Sequence, residues 1–184
     1  MTDAALQILE TAGRLFGERG YELVGINEII EKSGVAKATF YAHFKSKEKL
    51  CVAWLKESAA QSETSGKELL NRKIDGLAKV EAKFESLRNH CKVSDFRGCP
   101  FSITASMTKP SSEVRDVIRD YKASARVFWQ SLALEVKRDP AEARALGDAM
   151  FLLYSGAVTE AQNCRNSWPV DAAKTAALKL CTTT

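Results

Sequence analysis

The sequence predicts an all-α protein, and three observations carry that reading. Apolar residues recur at helical spacing through most of the chain. No stretch of any length alternates as a strand would. Glycine and proline are sparse, ten and four in 184 residues, and several of them stand where a helix should stop.

Ala5, Leu9, Ala12, Gly13 and Phe16 share one face at about 100° per residue, which predicts a first helix over residues 3–19. Gly20 follows it, where a left-handed cap residue belongs. A second helix over 26–32 turns Ile26, Ile29 and Ile30 inward and Asn27, Glu28 and Glu31 outward. Ser33-Gly34 makes a tight turn, and a third helix runs from Ala36 to Phe44. Two short helices joined by a glycine-bearing turn form a helix-turn-helix pattern. Ser46 caps a fourth helix that carries Leu50, Trp54 and Leu55 and fades in the polar run SAAQSETSG.

The domain boundary is expected near residues 57–66, within a continuous or kinked helix. That gives a three-helix helix-turn-helix domain over 1–56 and a helical domain for ligand binding and dimerisation over 57–184. In the second domain a long helix is expected over 67–91, then a loop, KVSDFRG, and a short helix over 100–108. Next comes a helix over 112–138 with the stripe Val114, Ile118, Tyr121, Ala125, Phe128, Leu132 and Val136. Asp139-Pro140 breaks it. Helices over 141–165 and 169–181 complete the set. The first of these is apolar on more than one side, as a helix buried against a second subunit would be. Met150, Leu153, Ala157 and Ala161 on it, with Ala173, Ala177 and Leu180 on the last helix, are the expected homodimer interface.

Bulk properties narrow the class. No run of eighteen apolar residues is present, so no membrane span is expected. The start, MTDAALQILE, lacks a basic region followed by an apolar one, so a cytoplasmic protein is expected. Five irregularly spaced cysteines do not suggest a disulfide framework. The net charge is only +4, yet residues 35–56 hold five lysines against one glutamate. Clustered cations beside a helix-turn-helix are the footprint of a phosphate-binding surface, although a solvated helix face would also carry lysines.

The third helix sharpens the choice. Phe40 and Phe44 lie about 40° apart on the wheel and define its buried direction. Ala42 stands opposite, with Ala38 and Thr39 beside it. Such small side chains let a helix backbone sink into a B-DNA major groove about 12 Å wide. Tyr41 and His43 flank the bare strip, aimed at the phosphate walls. Lys37 reaches a phosphate or a guanine edge. Lys45 and Lys47 lie at the exit, where N–H groups of the fourth helix are open to a phosphate. The expected partner is double-stranded operator DNA.

The stretch GRLFGERGYELVGINEIIEKSGVAKATFYAHFKSKEKL, with Phe16, Gly20-Tyr21, Gly34-Val35, Thr39-Phe40-Tyr41, His43-Phe44 and Ser46-Lys47-Glu48, resembles the TetR family of transcriptional regulators. The resemblance is close over about residues 5–55. It implies that Lys37, Ala38, Thr39, Tyr41, His43 and Lys47 face DNA. It also implies a homodimer on a palindromic operator and release by a small-molecule effector, most simply as a repressor. Two departures stand out. Gly25 occupies the position where the family places a capping Thr or Ser that touches a phosphate, and Ala36 precedes Lys37 where a hydroxyl is usual.

For the effector, Phe84, Phe101, Tyr121, Phe128, Trp129 and Tyr154 are candidate pocket walls, with Glu81 and Arg88 as polar groups beside the stripe Leu70, Ile74, Leu77 and Phe84. Plain core packing explains the same aromatics. In RGCPF, Pro100 suits the first position of a helix and puts Cys99 at its cap beside Arg97, with Asp95 opposing. Cys99 is therefore the candidate for a thiol that senses oxidants or electrophiles. His90, Cys91 and Cys99 match no strong zinc spacing, and no cofactor or metal is called for. A Cys/His enzyme is disfavoured because His90 adjoins Cys91 on a helix, where neighbours point apart. A helical adaptor for proteins has no need of a bare, lysine-flanked helix.

Overall fold

The computed structural model describes residues 2–92, 96–107, 109 and 111–183. Among them the helices are α1 (Asp3–Arg19), α2 (Ile26–Ser33), α3 (Lys37–His43), α4 (Lys47–Leu70), α5 (Gly76–Cys91), α6 (Pro100–Met107), α7 (Ser112–Leu134), α8 (Pro140–Cys164) and α9 (Trp168–Thr182). No strand occurs among the described residues. None of these helices is long and apolar enough to cross a membrane.

The chain gathers into two compact units. The first combines Met1–Gln61 with Pro100–Tyr121, so the unit holding the helix-turn-helix runs past residue 56 and takes in α6 and the start of α7. Burial explains the addition, because Phe101 and Val114 are both almost fully enclosed. An ion pair of 2.6 Å from Lys49 on α4 to Glu113 on α7 adds to it. Within this unit α1 packs on α2 and α3. Ile8, Leu15, Phe16, Ile29, Phe40, Leu50 and Leu55 are buried. Each such side chain contributes about 1.5–3 kcal/mol of transfer free energy.

The second unit combines Ser62–Cys99 with Lys122–Thr184. Its core unites Val80, Phe84 and Leu87 of α5, Trp129 and Leu132 of α7, Leu146, Met150 and Ala157 of α8, and Val170, Ala173 and Ala177 of α9. Two features fasten α7 to α8. A Cβ on Gly147 would stand 2.5 Å from the Cα of Gln130, so only glycine lets these backbones meet. Next to it, Asp148 accepts from Arg126 Nε at 2.7 Å, from Arg126 Nη2 at 2.6 Å and from Gln130 at 2.7 Å.

The helix expected over 67–91 is two helices. α4 ends at Leu70, and α5 starts at Gly76 behind Asp75, whose carboxylate accepts from the Ala78 N–H at 2.8 Å. The buried Lys79 ammonium holds the break. It donates to the Leu70 carbonyl at 2.6 Å and to Glu135 at 2.7 Å. Ile74 and Leu77, which the stripe placed inside, are 42% and 39% exposed. α7 likewise ends at Leu134, short of the expected residue 138.

Five of the seven residues expected at a dimer interface lie inside the chain instead. Met150, Ala157, Ala161, Ala173 and Ala177 are buried in the chain's own core, because small residues let α8 and α9 pack closely on each other. What stays open is the other side of the pair. Leu152 is 68% exposed, Trp168 57% and Leu180 43%. With Leu153, Gly156, Ala172 and Ala176 they line an apolar groove.

Candidate nucleic-acid interface

The turn between α2 and α3 is fixed by local chemistry. Gly34 takes φ 67°, the left-handed region, and its N–H returns to the Glu31 carbonyl. The Ser33 hydroxyl donates to the Ile30 carbonyl at 3.1 Å. α3 is then held by one face only. Phe40 is fully buried and Phe44 nearly so, with ring centroids 6.2 Å apart. Lys37, Ala38, Tyr41, Ala42 and His43 are exposed and Thr39 is half-buried. A helix seven residues long thus shows solvent a strip of small side chains with donors on both margins.

The margins are pre-positioned. The Tyr41 ring sits edge-on to Phe40 at 5.3 Å. His43 Nε2 and the Thr2 hydroxyl are hydrogen-bonded at 3.2 Å. Lys45 donates to the Tyr41 carbonyl at 3.2 Å and, like Lys37, has no ion-pair partner among the described residues. By contrast, one of the two acidic groups on α2 is neutralised. Glu28 is hydrogen-bonded by Arg19 and Lys32, which hold its carboxyl below the usual range, Arg19 most strongly. Positive charge therefore predominates around α3.

Two helix starts flank this strip. α2 begins behind Gly25 with no side-chain cap bond, and nothing stands within 4 Å of where its Cβ would be. α4 begins behind Ser46, whose hydroxyl accepts from the Lys49 N–H at 3.1 Å. The Lys47 side chain, expected to point outward, is turned back onto the backbone between α1 and α2. It donates to the carbonyls of Tyr21 at 3.0 Å and Val24 at 3.1 Å.

The remaining candidates fall into separate groups. Phe84, Phe128, Trp129 and Tyr154 cluster in the second unit with centroid spacings of 5.2–5.6 Å. Phe101 and Tyr121 belong to the first unit and stack on each other at 3.6 Å. Glu81 is exposed, and Arg88 is drawn to Asp171 of α9 at 2.8 Å. Lys83, which no sequence motif singles out, joins this cluster, its ammonium 5.3 Å from the Phe128 ring centre and 5.6 Å from that of Tyr154. Burial lowers its pKa. Its adjacency to Phe84 was the only available signal. Cys99 is half-buried and accepts from Lys122 Nζ at 3.7 Å. Asp95, weighed against it above, lies outside the described residues.

A small helical unit with such a face is a helix-turn-helix DNA-binding protein, a transcriptional regulator. Residues 8–53 match the family described as bacterial regulatory proteins, tetR family. The HTH-type transcriptional regulator LmrA of Bacillus subtilis is 26% identical over 174 residues, covering 91% of each chain. A TetR-family transcriptional regulator from Streptomyces coelicolor superposes with a TM-score of 0.88 at 22% identity, over 97% of this chain and 94% of that one. The reduced form of Escherichia coli NemR superposes at 0.86 with 20% identity, over 96% and 95%. Residues 8–53 thus carry the tetR-family signature, and the chain as a whole shares the fold of these regulators.

Proposed function

We propose that the protein is a homodimeric repressor that binds a palindromic operator and leaves it when a small molecule enters the second unit. The observation that carries the DNA half is the exposed strip of α3. Ala38, Thr39 and Ala42 give the helix clearance toward base edges, and Lys37, Tyr41, His43 and Lys45 grip the sugar-phosphate margins. The Gly25 start of α2 and the Lys47-Glu48 start of α4 add backbone N–H groups for phosphates. The α8–α9 groove, doubled by a second copy, gives a four-helix interface. Half-sites are then expected about one helical turn, roughly 34 Å, apart. The Phe84, Phe128, Trp129 and Tyr154 cluster is the proposed effector wall. Two relatives of this chain, NemR and AcnR, are named transcriptional repressors.

The test is to select DNA fragments with the purified protein and titrate the winner at several salt concentrations. A palindrome is expected, with log affinity falling by about 0.9 per phosphate contact for each unit of log salt. Weak binding without sequence preference would refute the reading.

A second reading is favoured by the Lys122 contact to Cys99. In it the effector is an electrophile or oxidant. Burial pushes the Cys51 thiol up to about 12 and also raises Cys91 and Cys181, which disfavours their thiolates. The structural neighbour NemR is described in a reduced form. Here Cys99→Ser is expected to abolish release of DNA by N-ethylmaleimide, whereas Cys164→Ser leaves it intact. Release unchanged in Cys99→Ser removes this reading.

A further inference from the structure

We infer that Lys47 is a positioning residue for DNA binding: its ammonium clamps the segment between α1 and α2 to the start of α4 and does not contact a phosphate. The inference rests on the DNA-binding reading above and assigns this side chain a different task within it. Lysine Nζ has three N–H donors, and here three carbonyls converge on it. The Tyr21 oxygen lies at 3.0 Å, that of Val24 at 3.1 Å and that of Glu22 at 3.5 Å. The Tyr21 ring closes the cage, its centre 4.3 Å from Nζ. That ring is itself anchored on Phe16, with centroids 5.4 Å apart.

The segment's own ties are the Val24 N–H to the Tyr21 carbonyl at 3.5 Å and the buried Val24 side chain. α1 has ended at Gly20 with φ 82°, and α2 starts only after Gly25. Between them, carbonyls that are out of water need a donor, and a cation supplies a stronger one than a neutral group. The ammonium comes from 23 to 26 residues further along the chain, so the clamp is tertiary and not a local turn. It joins the uncapped start of α2 to the start of α4, the two helix ends that flank α3. Breaking it frees the helix whose placement sets the angle of α3. The charge on Lys47 is thus spent on carbonyls before any phosphate arrives.

Two experiments separate clamp from phosphate contact. In the first, operator affinity of Lys47→Met and Lys47→Arg is followed across a salt series. A clamp predicts a loss of roughly tenfold or more for Met, consistent with charge-assisted hydrogen bonds to backbone. The salt slope stays at the wild-type value, and Arg fails to rescue because a planar fork does not fit a cage built for an ammonium. Affinity unchanged in Met overturns the inference. So does a slope shallower by about 0.9 per protomer that Arg restores.

The second experiment uses the wild-type protein and holds even if the variants do not fold. Reductive methylation of the DNA-free protein, read by mass spectrometry, should modify Lys47 at least about tenfold more slowly than Lys37 and Lys45, because its donors are occupied. Equal rates overturn the clamp. If the wild-type protein binds no operator but Lys47 is protected, the DNA-binding reading has failed and the cage has not.

Discussion

Ala38→Glu is expected to abolish operator binding, by at least about a hundredfold, with the fold intact. Ala38 is exposed in the middle of the bare strip, so the longer side chain meets no protein atom in the free state. Glutamate is also a good helix former, and an exposed exchange costs only a few tenths of a kcal/mol in propensity. In the groove the situation reverses. A helix with side chains is about 10–12 Å across, already the width of the groove, so added length forces the backbone outward. Lifting α3 also withdraws Tyr41 and His43 from the margins. A carboxylate then faces the phosphates without a counterion, once in each protomer. Fluorescence anisotropy on labelled operator measures the loss, and Ala38→Ser, which adds one small hydroxyl, should stay within a few-fold of wild type. Binding by Ala38→Glu within threefold of wild type would mean that α3 does not enter the groove.

Leu152→Glu is expected to leave a folded monomer with operator affinity reduced by about two orders of magnitude or more. Leu152 is 68% exposed on α8 and lines the apolar groove. In a two-fold interface each substitution appears twice, so two carboxylates are buried near one another. Binding two half-sites through one dimer gains roughly 10²–10⁴ over a single module, and that gain is what the monomer forfeits. Sedimentation velocity reads the assembly state and circular dichroism the fold. The choice of position matters. A charge at Ala157, only 4% exposed, would break α8 from α9 inside one chain and confuse unfolding with dissociation. A Leu152→Glu protein that sediments as a dimer places the interface elsewhere.

Much of the DNA-binding unit was legible because its rules are local. Gly20 and Gly34 mark stops, Phe40 and Phe44 fix the buried side of α3, and Ser46 caps α4, all within a few residues of what they control. What escaped is non-local. Leu70, Ile74, Leu77 and Phe84 are spaced as one helix would space them. The break is imposed by Asp75 and by a Lys79 ammonium shared with Glu135, 56 residues away. Alanines at 157, 161, 173 and 177 show that the chain packs closely there. They do not tell whether the neighbour is its own α9 or another subunit. The same holds for Lys47, whose motif suggests an outward cation but whose acceptors lie 23–26 residues upstream. Nor does any pattern announce that residues 100–121 join the helix-turn-helix unit.

The junction at Gly147 makes one wall of the aromatic cluster out of two helices. α7 supplies Phe128 and Trp129 and α8 supplies Tyr154, and these two helices are riveted backbone to backbone at Gln130 and Gly147, next to Trp129 and about two turns before Tyr154. The rivet does not loosen in mild acid, since Arg126 above all, and Gln130 after it, hold the Asp148 carboxyl at about 2. A guest among the rings of the proposed effector site would therefore meet α7 and α8 as one rigid wall, with Phe84 and Lys83 of α5 on the facing side.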